Sequence, residues 1–250
     1  MAIPSKKNKI YNLKIEREPQ HLLKYLQLPK AGLLPSTVDL RSKMPPIYDQ
    51  GQLGSCTANA LCGLIGYDNP SIHGSRLFVY YNERVLENHV FQDTGATLAD
   101  GIKTLQKYGV CQETLWPYNP ANFSVCPPKT CYTAALEHVA LKVKNIRNDL
   151  TTMKTSLYNG CPFVVGILVY QSFESAYVDK TGYVPMPSTR EPLLGGHAVV
   201  CVGYDDTKKM FIMRNSWGTN WGVAGYFYLP YAYLTSSKLT SDLWNIIKMK

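Results

Sequence analysis

The sequence predicts an α+β protein of two lobes, on three observations. Apolar residues recur at helical spacing through the first half and alternate at strand spacing through the second, and a proline-rich break, WPYNPANFSVCPP, separates the two regimes. The 250 residues, 45% hydrophobic and 18% charged, are enough to bury a large core and do not have the composition of a disordered chain.

Each element has its own signal. Residues 1–33 form a basic extension in which Lys6, Lys7, Lys9, Lys14, Arg17, Lys24 and Lys30 outnumber Glu16 and Glu18. Its PQHLLKYLQL stretch offers a short apolar face of Leu22, Leu23, Tyr25 and Leu26. From Cys56, CTANALCGLIGYD sets Ala60, Leu61, Leu64 and Ile65 at helical spacing, after Gly54-Ser55 as turn and cap. Two more helices are expected in SRLFVYYNERVLENH and TLADGIKTLQKYG, the latter closed by Gly109. Beyond the break, HVALKVKNI, PFVVGILVY, GHAVVCVGYD, MFIMRNS and AGYFYLP read as strands, with one helix around NDLTTMKTSLYNG. A helical lobe over about 50–120 and a β-rich lobe over about 121–235 follow, and a site is expected between them.

Charge and cysteine usage narrow the function. The net charge of +8 raises a nucleic-acid partner, but zinc-finger spacing, an aromatic RNA-binding signature and a GxxxxGK loop are all missing, so no specific nucleic acid is expected. The N-terminus lacks an apolar signal core and no window reaches membrane-spanning length, so no membrane partner is expected. Seven cysteines, an odd number, fit a reducing compartment and an intracellular or particle-packaged protein. Cys126 pairing with Cys131 or Cys111 stays open. No second Cys or His pair matches CPPKTC, so no metal is expected.

One constellation carries chemistry. A cysteine at the first turn of a helix has its thiolate favoured by the positive end of the helix dipole, which makes Cys56 a candidate nucleophile, whereas Cys62 reads as core. A thiol nucleophile needs an imidazole, and five histidines compete for that role. His21, His73, His89 and His138 lie in polar or boundary surroundings; His197, in LGGHAVVCVGYDD, follows two glycines and opens a strand. In RNSWGTNWGVAGYFYL, Asn215 is placed to accept the second ring N–H of His197 and Trp217 to shield that bond. Singly, each has a bland reading as core residue, strand start or turn. The order Cys, His about 140 residues on, then Asn, is what singles them out.

Through PSTVDLRSKMPPIYDQGQLGSCTANA, LGGHAVVCVGYDD and NSWGTNWGVAGYFYL, the chain resembles the papain-like cysteine peptidases from about Leu34 to about Leu229. The resemblance implies a two-lobed fold with a barrel-like β lobe, residues 34–250 as the peptidase domain, and cleavage of a peptide or protein substrate without cofactor, by a monomer. It makes Cys56 the nucleophile, His197 the base and acid, Asn215 the orienting amide and Gln50 the oxyanion donor. It sets Gly54, Gly95, Ala96, Gly196 and Trp217 along the substrate groove, with DTGATLADG on the non-primed side and Trp217 on the leaving-group side. Departures are also visible. Leu53 stands where relatives have a disulfide cysteine, Thr57 where they have tryptophan, Gly196 where Asp or Asn is common, and Ala96 where a glycine faces substrate. Residues 1–33 are too short for the family's helical prosegment, so a zymogen held by an extended strap over the cleft is expected. Exopeptidase and ligase variants stay open, as does a catalytically silent groove that binds peptides or polyanions.

Overall fold

The computed structural model describes residues 9–15 and 32–250; the PQHLLKYLQL stretch lies outside them. The order of elements is β1 (Thr37–Asp39), α1 (Cys56–Asp68), α2 (Arg76–Leu86), α3 (Leu98–Lys107), α4 (Lys129–Ala135), β2 (Ala140–Asn145), α5 (Leu150–Tyr158), β3 (Phe163–Tyr170), α6 (Ala176–Thr181), β4 (Leu193–Asp205), β5 (Met210–Arg214), β6 (Tyr226–Pro230), α7 (Tyr231–Leu234) and β7 (Thr240–Met249).

Local chemistry explains most helix starts. Ser75 accepts from Phe78 N, Thr97 from Asp100 N and Asp149 from Thr152 N, each satisfying an amide that the first turn leaves without a partner. Helix α1 departs from expectation: Ser55 makes no side-chain cap, because its hydroxyl pairs with Tyr118 Oη at 2.6 Å instead. Residues Cys56 to Gly66 of α1 are all buried, as suits a helix that is apolar on nearly every side and runs through the middle of the molecule.

The sheet runs β2-β7-β3-β4-β5-β6, with β1 paired to β4. Its α+β class and two-lobed arrangement are as expected, but the barrel is not closed among the described residues: the pairing path is open, ending at β2 and β6. The β region also extends beyond 235, since β7 fills the place between β2 and β3. Alternation along β4 joins the lobes. Ala198, Val200 and Val202 pack toward α1, α2 and α3, while Val199 and Cys201 face Met153, Leu157 and an aromatic cluster of Phe173, Trp217, Trp221 and Phe227. Each large apolar side chain so buried contributes about 1.5–3 kcal/mol, and the strand is thereby clamped on both faces.

Candidate active site

His197 is fully buried on β4, opposite Ile167 of β3. Its Nε2 lies 2.8 Å from Asn215 Oδ1, which also accepts the backbone N–H of Ser216 at 2.8 Å. That oxygen is therefore the acceptor, Nε2 carries the proton, and Nδ1 is the free basic nitrogen with no hydrogen-bond partner. Trp217 stacks on the imidazole at 4.8 Å and 25°, backed by Phe173 and Trp221. The ring is thus held by one hydrogen bond inside an aromatic cage. His73 and His89 are exposed and His138 half-buried, so none has a comparable setting.

Cys56 opens α1 and is fully buried, and the backbone N–H of Ala198, the residue after His197, is among the groups that favour its thiolate. Burial pushes the thiol up to about 12, although the Ala198, Thr57 and Cys56 amides all pull it down. Burial likewise pulls His197 down to about 4, with Asn215 opposing and Lys9 adding to the fall. The thiolate expected from the helix start is therefore not the form favoured here: desolvation outweighs the helix terminus, and thiol and imidazole rest neutral.

Gln50 is buried beside them. Its Nε2 donates to Leu53 O at 3.0 Å, and its Oε1 accepts from Ser216 Oγ at 2.7 Å. The backbone repeats the tie, Gln50 N donating to Ser216 O at 2.9 Å. Ser216 thus links the amide that orients His197 to the amide of Gln50. Its part is invisible in the sequence, where it is one more polar residue in a turn.

Residues 9–15 lie across these groups. Leu13 N donates to Gly196 O and Lys14 N to Ala96 O, both at 3.1 Å, and Asn12 forms a parallel bridge with Gly196. The Tyr11 ring sits edge-on to His197 and Trp217 while its hydroxyl donates to Glu174 at 2.6 Å. Lys9 lies 4.9 Å over the Trp217 ring, and Lys14 pairs with Glu87. Leu13 is only 5% exposed and belongs to the core cluster shared by α1 to α3 and the sheet, its side chain lying against Gly166 of β3. All five groove residues named from the sequence touch this segment. A Cβ at Gly95, whose φ is +69°, would fall on the Asn12 carbonyl; one at Gly196 would lie 2.5 Å from Leu13 O; and one at Gly54 would lie 2.8 Å from Asn12 Nδ2. Ala96 takes part through its carbonyl and Trp217 through its ring. Asp93, which accepts the Gly54 amide and the Tyr80 hydroxyl while its carbonyl accepts from Asn12 Nδ2, completes this edge and has no signal in the sequence.

Among the described residues, no group of three or more His, Cys, Asp and Glu is placed to hold a metal, and no helix is long and apolar enough to cross a membrane.

Comparison with known proteins bears on the family and the fold. The family described as papain family cysteine protease matches residues 34–242. An uncharacterized peptidase C1-like protein of Acanthamoeba polyphaga mimivirus is 46% identical over 79% of this chain and 68% of its own length. Cathepsin B-like CP2 of Giardia intestinalis is 29% identical over 78% of this chain and 68% of its own. The crystal structure of xylellain, a cysteine protease from Xylella fastidiosa, superposes with a TM-score of 0.87 at 38% identity, over 96% of this chain and 97% of that one.

Proposed function

Because the chain belongs to the papain family of cysteine proteases, we propose that it is an endopeptidase working through Cys56, His197, Asn215 and Gln50, with residues 9–15 as its own inhibitory strap. The observation that carries this reading is the His197–Asn215 bond at 2.8 Å, which leaves Nδ1, a buried ring nitrogen without a hydrogen-bond partner, as the base. In the reaction the Cys56 proton passes to His197 Nδ1 and the sulfur attacks the peptide carbonyl. The oxyanion is received by the Cys56 amide and the spare N–H of Gln50 Nε2, worth about 2.7–4 kcal/mol for a side-chain donor of this kind. His197 then protonates the leaving amine, and water activated by the same nitrogen hydrolyses the acyl-enzyme.

The substrate is an extended peptide whose backbone uses the carbonyls of Gly196 and Ala96, now taken by Leu13 and Lys14. From Lys9 to Lys14 the strap passes from Trp217 to Thr94 and Glu87. By likeness to the family, substrate crosses the other way, so the strap offers its peptide bonds in reverse and is not cut. Covering the cleft also keeps water from the pair, and the shifts of Cys56 and His197 support a resting form without the ion pair. The test compares peptide hydrolysis by the full chain, by a chain starting at Leu34, and by Cys56→Ala. The shortened chain is expected to be the fastest and Cys56→Ala inactive. Equal rates with and without the first 33 residues would remove the strap from the account, and activity surviving Cys56→Ala would remove the mechanism.

A further inference from the structure

Directly after the nucleophile stands Thr57, and its hydroxyl donates to Glu83 Oε2 of α2 at 2.7 Å. Glu83 is fully buried, and its second oxygen, Oε1, has no hydrogen-bond partner. Gly101 of α3 makes room for that oxygen: a Cβ there would lie 2.7 Å from Oε1. A carboxylate in this place would leave charge on an oxygen that nothing stabilises, whereas a protonated carboxyl keeps the Thr57 bond and forgoes a single contact. Charged and titratable groups bear on it from each side: Cys56 and Cys62 from α1, Arg84 from its own helix with Glu87 just beyond its end, and Asp100 from α3.

We propose that Glu83 is a positioning residue for Cys56: protonated, it grips the first turn of α1 through Thr57, and when it loses its proton its charge opposes the thiolate. The proposal rests on Cys56 being the nucleophile. Burial, aided by Glu87 and Asp100 and opposed by Thr57 and Arg84, raises Glu83 to about 8, so the change falls just above neutrality, and a charged Glu83 pushes the Cys56 thiol up. The nucleophile therefore carries a brake on the alkaline side, independent of the cleft.

The test follows alkylation of Cys56 by iodoacetamide across pH, read by mass spectrometry on the full chain, for wild type, Glu83→Gln and Thr57→Val. Glutamine keeps an acceptor for Thr57 and cannot ionise. The ratio of Glu83→Gln to wild-type rate is expected to be near one at about pH 6 and to climb to about three- to tenfold at about pH 9, a tenfold ratio being one pKa unit at Cys56. Thr57→Val, which removes the hydrogen bond favouring the charged form of Glu83, is expected to move the onset of the Cys56 brake to higher pH than in wild type. Superimposable profiles for Glu83→Gln and wild type, with Cys56→Ala inactive as a peptidase, would overturn the role of Glu83 alone. Peptidase activity surviving Cys56→Ala would overturn the nucleophile and the role of Glu83 with it.

Discussion

The two sides of the candidate site, its walls, are built on different principles. On the sheet side His197 is held by strand pairing, a side-chain hydrogen bond to Asn215 and a cage of Trp217, Phe173 and Trp221. On the helix side Cys56 leads a helix surrounded by buried polar groups: Thr57 on Glu83, Asn59 on Ser55, and Arg76 reaching Asn59 and Glu113. In the proposed mechanism the base needs a fixed orientation and tautomer, which rigid apolar packing gives, and the nucleophile needs its acidity adjusted by nearby dipoles and charges. Gln50, joined to both walls through Ser216 and Tyr118, keeps them in register.

Substitutions sharpen this contrast in descending order of effect. His197→Ala is expected to lower kcat/KM by about 10²–10⁴-fold, the usual contribution of a positioned acid-base group. Gln50→Ala should cost about 10²–10³-fold in kcat with little change in KM, since its donor acts on charge that forms in the transition state. Ser216→Ala removes only the bond that orients Gln50, so a loss of about tenfold is expected, corresponding to about 1.4 kcal/mol of transition-state stabilisation. A Ser216→Ala loss as large as that of Gln50→Ala would mean that the link, and not the donor, matters most. Steady-state kinetics on the chain starting at Leu34 separates these outcomes.

The walls also differ in their response to pH. His197 is lowered from 6.5 to about 4, so between these values the unfolded chain binds the proton that the folded one refuses. Its contribution to stability is whole above about pH 6.5 and is lost as pH falls toward 4, by about 3 kcal/mol at most. Denaturant titrations of the full chain at several pH values should show this slope, and it should shrink in the chain starting at Leu34, whose histidine is wetter. Glu83, raised from 4.5 to about 8, acts with the opposite sign, its contribution fading as pH rises through that interval.

Much of this was legible in the sequence, for reasons that particular residues make clear. Helices α2, α3 and α5 carry caps that match their polar starts, and β3 and β4 are apolar enough to be seen without partners. Cys56, His197 and Asn215 stood out by order and spacing, and the structure brings His197 and Asn215 into contact. Strand β7 escaped notice because TSDLWNIIKM mixes polar and apolar residues at its place between two strands, and the residues that face inward depend on neighbours far away in the chain. Ser55 read as a cap because Tyr118, 63 positions on, is invisible to local reasoning. Ser216, Asp93 and Glu83 were missed on the same ground: each acts through a tertiary contact. The thiolate that a helix start favours at Cys56 is opposed by the complete burial of the thiol, which depends on contacts far apart in the chain.

The most direct measurement is therefore on that cover. Leu13→Asp in the full chain places a charge at a site that is 5% exposed and should free the strap. With limiting iodoacetamide near neutral pH, mass spectrometry is expected to find Cys56 labelled at least about tenfold faster than in the wild-type chain, as a thiol regaining an activated pKa requires, while Cys62 and Cys201 keep their slow rates. Cys56 labelled no faster than Cys62 once the strap is released would contradict the account.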